Sequence, residues 1–274
     1  MGMNVFGRRK RKVGLALGSG VARGLAHIGV LQVLAREGIP IDMVAGTSIG
    51  SIIGAFCALG KTCEEILEIA REFGSKRFNY LVDLNIPKTG LIKGKKIEEL
   101  LKEFYGDAEF SDCVKPFKCA ATDIDTGEEV VLDEGPLWKA VRSSISIPVI
   151  FAVTNHNDRY LVDGALVNPV PVRLLKEMGA DVIIAVNVIP ERNITDRTEP
   201  NIFDVIMRTI HIVEYSAVKA SVEGANVVIE PDVEEFALTD FHRVDELVEK
   251  GALCAREAVP YIKKALKKSK QPVV

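Results

Sequence analysis

Ile41-Asp42-Met43-Val44-Ala45-Gly46-Thr47-Ser48-Ile49-Gly50-Ser51-Ile52-Ile53-Gly54-Ala55-Phe56-Cys57-Ala58-Leu59-Gly60 changes character in its middle. Ile41 to Ala45 is a short apolar run and reads as a buried strand. Ile49 to Leu59 is built from small and apolar residues and reads as a helix closed by Gly60. Between them stands Gly46-Thr47-Ser48-Ile49-Gly50. A strand, a tight turn and a helix are the setting in which a serine becomes an exposed nucleophile. Gly46 and Gly50 remove side chains that would clash with the neighbouring backbone. Ser48 then sits at a helix N-terminus, whose partial positive charge favours a developing anion. The plain alternative is a serine–glycine turn capping an ordinary helix, and the flanking elements favour the nucleophile.

Working outward, Val13 to Leu17 is a second short apolar strand, followed by Gly18-Ser19-Gly20-Val21-Ala22-Arg23-Gly24. Glycines between a strand and a helix let backbone N–H groups converge on an anion. A dinucleotide fingerprint would need Gly at position 23, where this chain has Arg23. The other functional reading is an oxyanion hole serving Ser48, and one such donor is worth roughly 2.7–4 kcal/mol of transition-state stabilisation. From Leu25, apolar residues at Ile28, Leu31 and Leu34 mark a helix stopped near Gly38.

A nucleophilic serine needs a base. His211 falls inside a predicted helix, His242 on a polar approach to the last helix, and neither follows a strand as a triad histidine should. Asp163-Gly164-Ala165 follows a strand over Arg159 to Val162 and precedes Asn168-Pro169-Val170-Pro171. Spacing alone leaves Asp163 evenly balanced between a turn residue and a base at a strand end, where open α/β sheets build their sites.

The remaining elements alternate. Thr62-Cys63-Glu64-Glu65 is a capping box that opens a helix. Residues 74–94 read as a long loop, of the kind that can cover a site. Lys95 to Tyr105 reads as a helix, and Phe117–Thr122 with Glu129–Leu132 as a hairpin around Asp125-Thr126-Gly127. A helix runs from Pro136 to before Pro148. Strands at Phe151 to Thr154 and Arg159 to Val162 flank a turn at Asn155-His156-Asn157-Asp158. A helix to Met178, a strand from Asp181 to Val188, a helix from Asn201 to Gly224, a strand from Val227 to Glu230 and a helix from Val244 to Lys268 complete the chain. The pattern is an α/β layer fold with a mainly parallel sheet in one domain.

Composition narrows the function. The 274 residues carry 47% hydrophobic and 27% charged side chains and a net charge of −3, which suits a globular chain and makes no case for nucleic acid. Arg8-Arg9-Lys10-Arg11-Lys12 and Lys263, Lys264, Lys267, Lys268 and Lys270 read first as solvated ends. Second, they read as weak attraction to an anionic membrane surface, about 1 kcal/mol per residue. Cys57, Cys63, Cys113, Cys119 and Cys254 form no metal spacing and read as reduced thiols in a cytoplasmic protein. The apolar stretch behind the basic run is too short for a signal peptide, and no apolar run reaches membrane-spanning length. The sequon Asn193-Ile194-Thr195 carries no weight in that setting.

Taken with Arg23-Gly24-Leu25-Ala26-His27-Ile28-Gly29, Ala121-Thr122-Asp123, Ser144-Ile145-Ser146-Ile147-Pro148 and Leu161-Val162-Asp163-Gly164, the chain resembles the patatin-like phospholipase family. The similarity is to its bacterial members related to the catalytic domain of neuropathy target esterase, and it runs from Val13 to about Gly251. The resemblance implies a three-layer α/β/α sandwich and a Ser–Asp dyad without histidine. Ser48 would be the nucleophile, Asp163 the base, and Ser19, Gly20 and Val21 the source of oxyanion N–H groups. Gly18, Arg23, Gly24, Gly46, Gly50, Gly164 and Ala165 are supporting motif positions. It implies a phospholipase or esterase acting on acyl esters through an acyl-enzyme, with no metal or cofactor; a non-catalytic lipid-binding protein is the alternative. It divides the chain into a basic tail (1–12), the patatin-like domain (13–258) and a basic end (259–274). Val21 and Val149 stand where the family commonly has glycine. A β-branched residue would be strained there if the backbone needs positive φ.

Overall fold

The computed structural model describes residues 10–74, 95–191, 199 and 201–267. Arg8, Arg9, the stretch 75–94, the sequon at 193–195, Lys268 and Lys270 lie outside the described residues. In chain order the elements are β1 (Val13–Leu17), α1 (Ala26–Arg36), β2 (Met43–Thr47), α2 (Ile49–Ala58), α3 (Cys63–Glu72), α4 (Lys95–Tyr105), β3 (Phe117–Asp123), β4 (Glu129–Leu132) and α5 (Leu137–Ser144). They continue with β5 (Thr154–His156), β6 (Arg159–Asp163), α6 (Val172–Glu177), β7 (Val182–Val186), α7 (Ile202–Ser221), β8 (Val227–Ile229) and α8 (Val244–Lys267).

Strands alternate their side chains between two faces, and in β1 both faces are buried. Val13, Leu15 and Leu17 enter a large core with Ile28 of α1, Phe56 of α2 and Leu247 of α8. Ala16 faces the other way, into a smaller core with Ala45, Ile183 and Ala185 under Val172, Leu174 and Leu175 of α6. Helices therefore cover both faces of the sheet, giving the three-layer α/β/α sandwich with a mainly parallel centre. The sheet order is β5-β6-β3-β2-β1-β7-β8, with β4 also paired to β3. Neighbours from β3 through β2, β1 and β7 to β8 run parallel. The β3–β4, β3–β6 and β5–β6 pairs are antiparallel.

One local feature of this topology brings distant segments together. Ala120 and Ala121 pair with Val131 and Val130 of β4. On their other side Ala120 pairs with Thr47 of β2 and Ala121 with Asp163 of β6. A strand has only two edges, so β2 and β6 share one edge of β3 and meet head-on at adjacent rungs. The chain end of β2 and the chain end of β6 are thereby brought face to face.

Most boundaries shift from the sequence reading by a few residues, and three of the shifts have a clear local cause. β2 begins at Met43 and takes in Gly46 and Thr47, because the parallel ladder continues to Thr47–Ala120. The hairpin after β5 is tighter than expected: His156 pairs with Arg159, and only Asn157 and Asp158 turn, both at positive φ. Two consecutive positive-φ residues suit the right-handed twist of the flanking strands. The apolar run Phe151 to Val153 forms no strand, and β5 starts at Thr154; Phe151 instead lines a cavity.

Candidate active site

Ser48 follows β2 directly and caps α2 in an unusual backbone conformation, φ 54° and ψ −125°. A non-glycine residue there is strained, at a cost of order 1–3 kcal/mol, and such strain concentrates at functional sites. Several contacts hold it. Its N–H donates to Ser144 Oγ at 2.9 Å, and Ser51 Oγ donates to its carbonyl at 2.6 Å. Gly50 allows α2 to press on β1, since a Cβ there would lie 2.1 Å from the Leu17 carbonyl oxygen. Gly46 lies under Gly50 on the same closely packed turn, and Gly24 lies against the Ile49 side chain.

Asp163 ends β6. Its N–H donates to the Ser146 carbonyl at 3.0 Å, and its carbonyl accepts from Thr122 Oγ1 at 2.8 Å. Gly164 lets the chain turn against β3, where a Cβ would lie 2.3 Å from the Ala120 carbonyl oxygen. With the backbone fixed, the carboxylate has two partners. Ala165 N–H donates to Oδ1 at 2.9 Å, and Ser48 Oγ donates to Oδ2 at 2.6 Å. Both residues are buried, Ser48 at 3% and Asp163 at 1% exposure. Burial pushes the Asp163 carboxyl up to about 7, against the pull of the Ser48 and Ala165 hydrogen bonds. That value suits a proton acceptor working near neutral pH.

The four histidines are placed elsewhere. His27 Nε2 is 2.8 Å from the Gly18 carbonyl, and burial drives its pKa down to about 4, leaving it neutral. His211 lies on α7, and His156 and His242 lie at the surface. Among the described residues none hydrogen-bonds to Ser48. Asp123, from the Ala121-Thr122-Asp123 segment, anchors the hairpin instead, accepting from the Asp125 and Thr126 N–H groups.

The glycine-rich loop divides its labour. Gly18 N–H donates to the Val186 carbonyl and Ser19 N–H to the Pro169 carbonyl at 2.9 Å. Ser19 is thus committed to closing the turn onto the segment before α6, and its N–H is not an open anion donor. Gly20 at φ 151° and Val21 at φ 52° follow, and their N–H groups have no acceptor among the described residues. Arg23 is buried and donates from Nε to the Phe236 carbonyl at 2.8 Å; burial lowers its pKa, offset by Asp240, Glu234 and Glu214.

Val21 at φ 52° and Val149 at φ 70° both sit in the left-handed region. A β-branched side chain there costs about 1–2 kcal/mol, more than the roughly 0.5–1 kcal/mol by which glycine loosens the unfolded chain. Val149 is exposed and packs little. Val149→Gly is therefore expected to hold or raise the thermal midpoint. A fall of several degrees in a melting experiment would contradict this.

An apolar cavity of about 200 Å³ opens at Ser48, walled by residues such as Val21, Ile53, Phe56, Leu101 and Ile147. Among the described residues its lining is apolar apart from Ser48 and Thr239. Sequence reading singled out the segments that hold Thr122, Ser144 and Ser146 but gave these residues no role; in the structure they hold the two key backbones. The signal was present in Ser143-Ser144-Ile145-Ser146, a run of hydroxyls in a buried helix end.

Comparison with known proteins gives the family and the fold. A family model described as patatin-like phospholipase matches residues 15–176, more than half the chain and spanning both Ser48 and Asp163. An uncharacterized NTE family protein of Mycobacterium bovis is 30% identical over 91% of this chain and 46% of its own length. Lysophospholipase NTE1 of the yeast Meyerozyma guilliermondii is 29% identical over 89% of this chain and 19% of its own length. The chain thus spans about half, or less, of the length of these relatives. VipD from Legionella pneumophila superposes with a TM-score of 0.54 at 12% identity, covering 93% of this chain and 67% of that one, a likeness of fold. By its matching family model, its relatives and its fold, the chain belongs to the patatin-like phospholipase family.

Proposed function

We propose that the chain is a serine acyl hydrolase acting on acyl esters of lipids, of the phospholipase or lysophospholipase type. The observation that carries this reading is the 2.6 Å Ser48 Oγ–Asp163 Oδ2 hydrogen bond, buried at the wall of an apolar cavity. Ser48 Oγ attacks the ester carbonyl while Asp163 Oδ2 takes its proton. The N–H groups of Gly20 and Val21 stabilise the oxyanion, and the acyl chain occupies the apolar cavity. The proton passes to the departing alcohol or lysolipid, and water then releases the acid from Ser48. A carboxylate is a weaker base than imidazole; burial compensates by raising its basicity and excluding water.

Similarity to the lysophospholipase of Meyerozyma guilliermondii supports a lysolipid as one substrate class. The reading includes a cytoplasmic enzyme that meets anionic membrane surfaces at its periphery, with Lys264 and Lys267 at the end of α8 as contributors. No helix among the described residues is long and apolar enough to cross a membrane. The test is fluorophosphonate labelling with an ester panel of graded chain length. Ser48→Ala is expected to abolish both labelling and hydrolysis. Wild-type protein that ignores both probe and esters would leave a non-catalytic lipid-binding role instead.

A further inference from the structure

The acyl cavity poses a problem for the second half of the reaction. Hydrolysis needs a water at the acylated serine, yet among the described residues that cavity offers only Ser48 and Thr239 as polar side chains. A second cavity, of about 20 Å³, lies under α7 with Gly20, Arg23, His211 and Glu214 on its polar side. Val21, Ile147, Met207 and Leu238 line both cavities, which therefore share a wall. One water needs roughly 10–15 Å³ of such space and two to four polar partners.

The partners are present. His211 Nε2 is buried without a hydrogen-bond partner among the described residues. The Pro190 backbone engages the His211 ring, and the unpartnered Nε2 is left to bond a water, as donor or acceptor according to the tautomer. Burial, reinforced by the charge of Asp163 and only partly opposed by the Arg23 guanidinium, pushes Glu214 up to about 8, so at neutral pH its carboxyl carries a proton to donate. The influence of Asp163 on Glu214 also places this cavity within electrostatic reach of the dyad.

We propose that the cavity under α7 holds the water that hydrolyses the acyl-enzyme. This inference rests on the hydrolase reading. The water oxygen bonds to the acyl carbonyl carbon while Asp163 takes one of its protons. The bond from that carbon to Ser48 Oγ then breaks, Oγ recovers the proton, and the free carboxylic acid leaves. Glu214 and His211 orient the water before it moves past Met207 and Val21.

The experiment compares wild type with Ile210→Phe, which fills the cavity, and Glu214→Leu, which removes a polar partner. Fluorophosphonate labelling reports attack by Ser48 alone, and p-nitrophenyl ester turnover reports the whole cycle. Both variants are expected to label within about twofold of the wild-type rate. Hydrolysis should fall at least roughly tenfold, with KM falling alongside kcat, and intact-mass spectra during turnover should show acyl-Ser48 accumulating. Labelling and hydrolysis falling together, or hydrolysis unchanged in both variants, would overturn the proposal. Wild-type protein that fails to label would overturn the hydrolase reading, and this inference with it.

Discussion

Asp163→Asn is expected to slow acylation of Ser48 by roughly three to four orders of magnitude, the scale of losing a general base from a hydrolytic site. The amide can still accept from Ala165, so the site keeps its shape while the proton acceptor is gone. The wild-type enzyme should gain activity as pH rises through about 7, where Asp163 ionises, and the variant's residual rate should lack that limb. Fluorophosphonate labelling from pH 5 to 9 reads both. Stability should move the opposite way. Burial raises the carboxyl from 3.8 to about 7, so the fold keeps a proton that the unfolded chain loses. The contribution is full below pH 4 and is lost as pH rises through 7. A displacement of that size corresponds to about 4 kcal/mol. Asp163→Asn should therefore melt above wild type at pH 8, with the gap closing toward pH 4. An inactive variant that is also less stable at pH 8 would contradict the burial-driven shift.

Gly50→Ala is the second large effect, and its sign runs against helix propensity. In a free helix, alanine is better than glycine by about 1 kcal/mol. Here the new methyl would sit 2.1 Å from the Leu17 carbonyl oxygen and 2.7 Å from that of Gly18. Both are backbone atoms fixed in β1 and its turn, so neither can move aside without displacing α2 from the sheet. The loss should exceed about 3 kcal/mol, the upper range for ordinary overpacking, and labelling of Ser48 should disappear with it. Gly54, in the same helix, is the internal control. A Cβ there meets the side chains of Phe117 and Val44 at 3.0 and 3.2 Å, which can give way. Urea titration of the two variants separates them: equal midpoints would show that the α2–β1 contact is less tight than the structure has it.

The parts legible in the sequence are those set by neighbours along the chain. The Thr62–Glu65 capping box forms as expected, and α2 runs from Ile49 to Ala58 between the expected turn and glycine. Apolar content alone misled at Phe151–Val153, because a buried run can line a cavity as well as a sheet. The partnership of Ser48 with Asp163 was not legible from spacing. It depends on β2 and β6 sharing one edge of β3, a matter of register between distant segments. Likewise nothing local shows that Ser144 Oγ receives the Ser48 N–H. The loop at residues 18–21 was legible as a turn of free amides. Which amides stay free was decided by Pro169, far along the chain.

The head-on meeting of β2 and β6 also ties chemistry to the order of assembly. Ser48 and Asp163 are separated by 115 residues, and the contact exists only once the antiparallel end of β3 has closed. Helices form early and locally, whereas pairings of such sequence separation come late. A refolding chain can therefore recover most of its helical signal while its serine is still inert. On the proposed function, labelling of Ser48 during refolding is therefore expected to follow the β3–β6 pairing and not the recovery of helix.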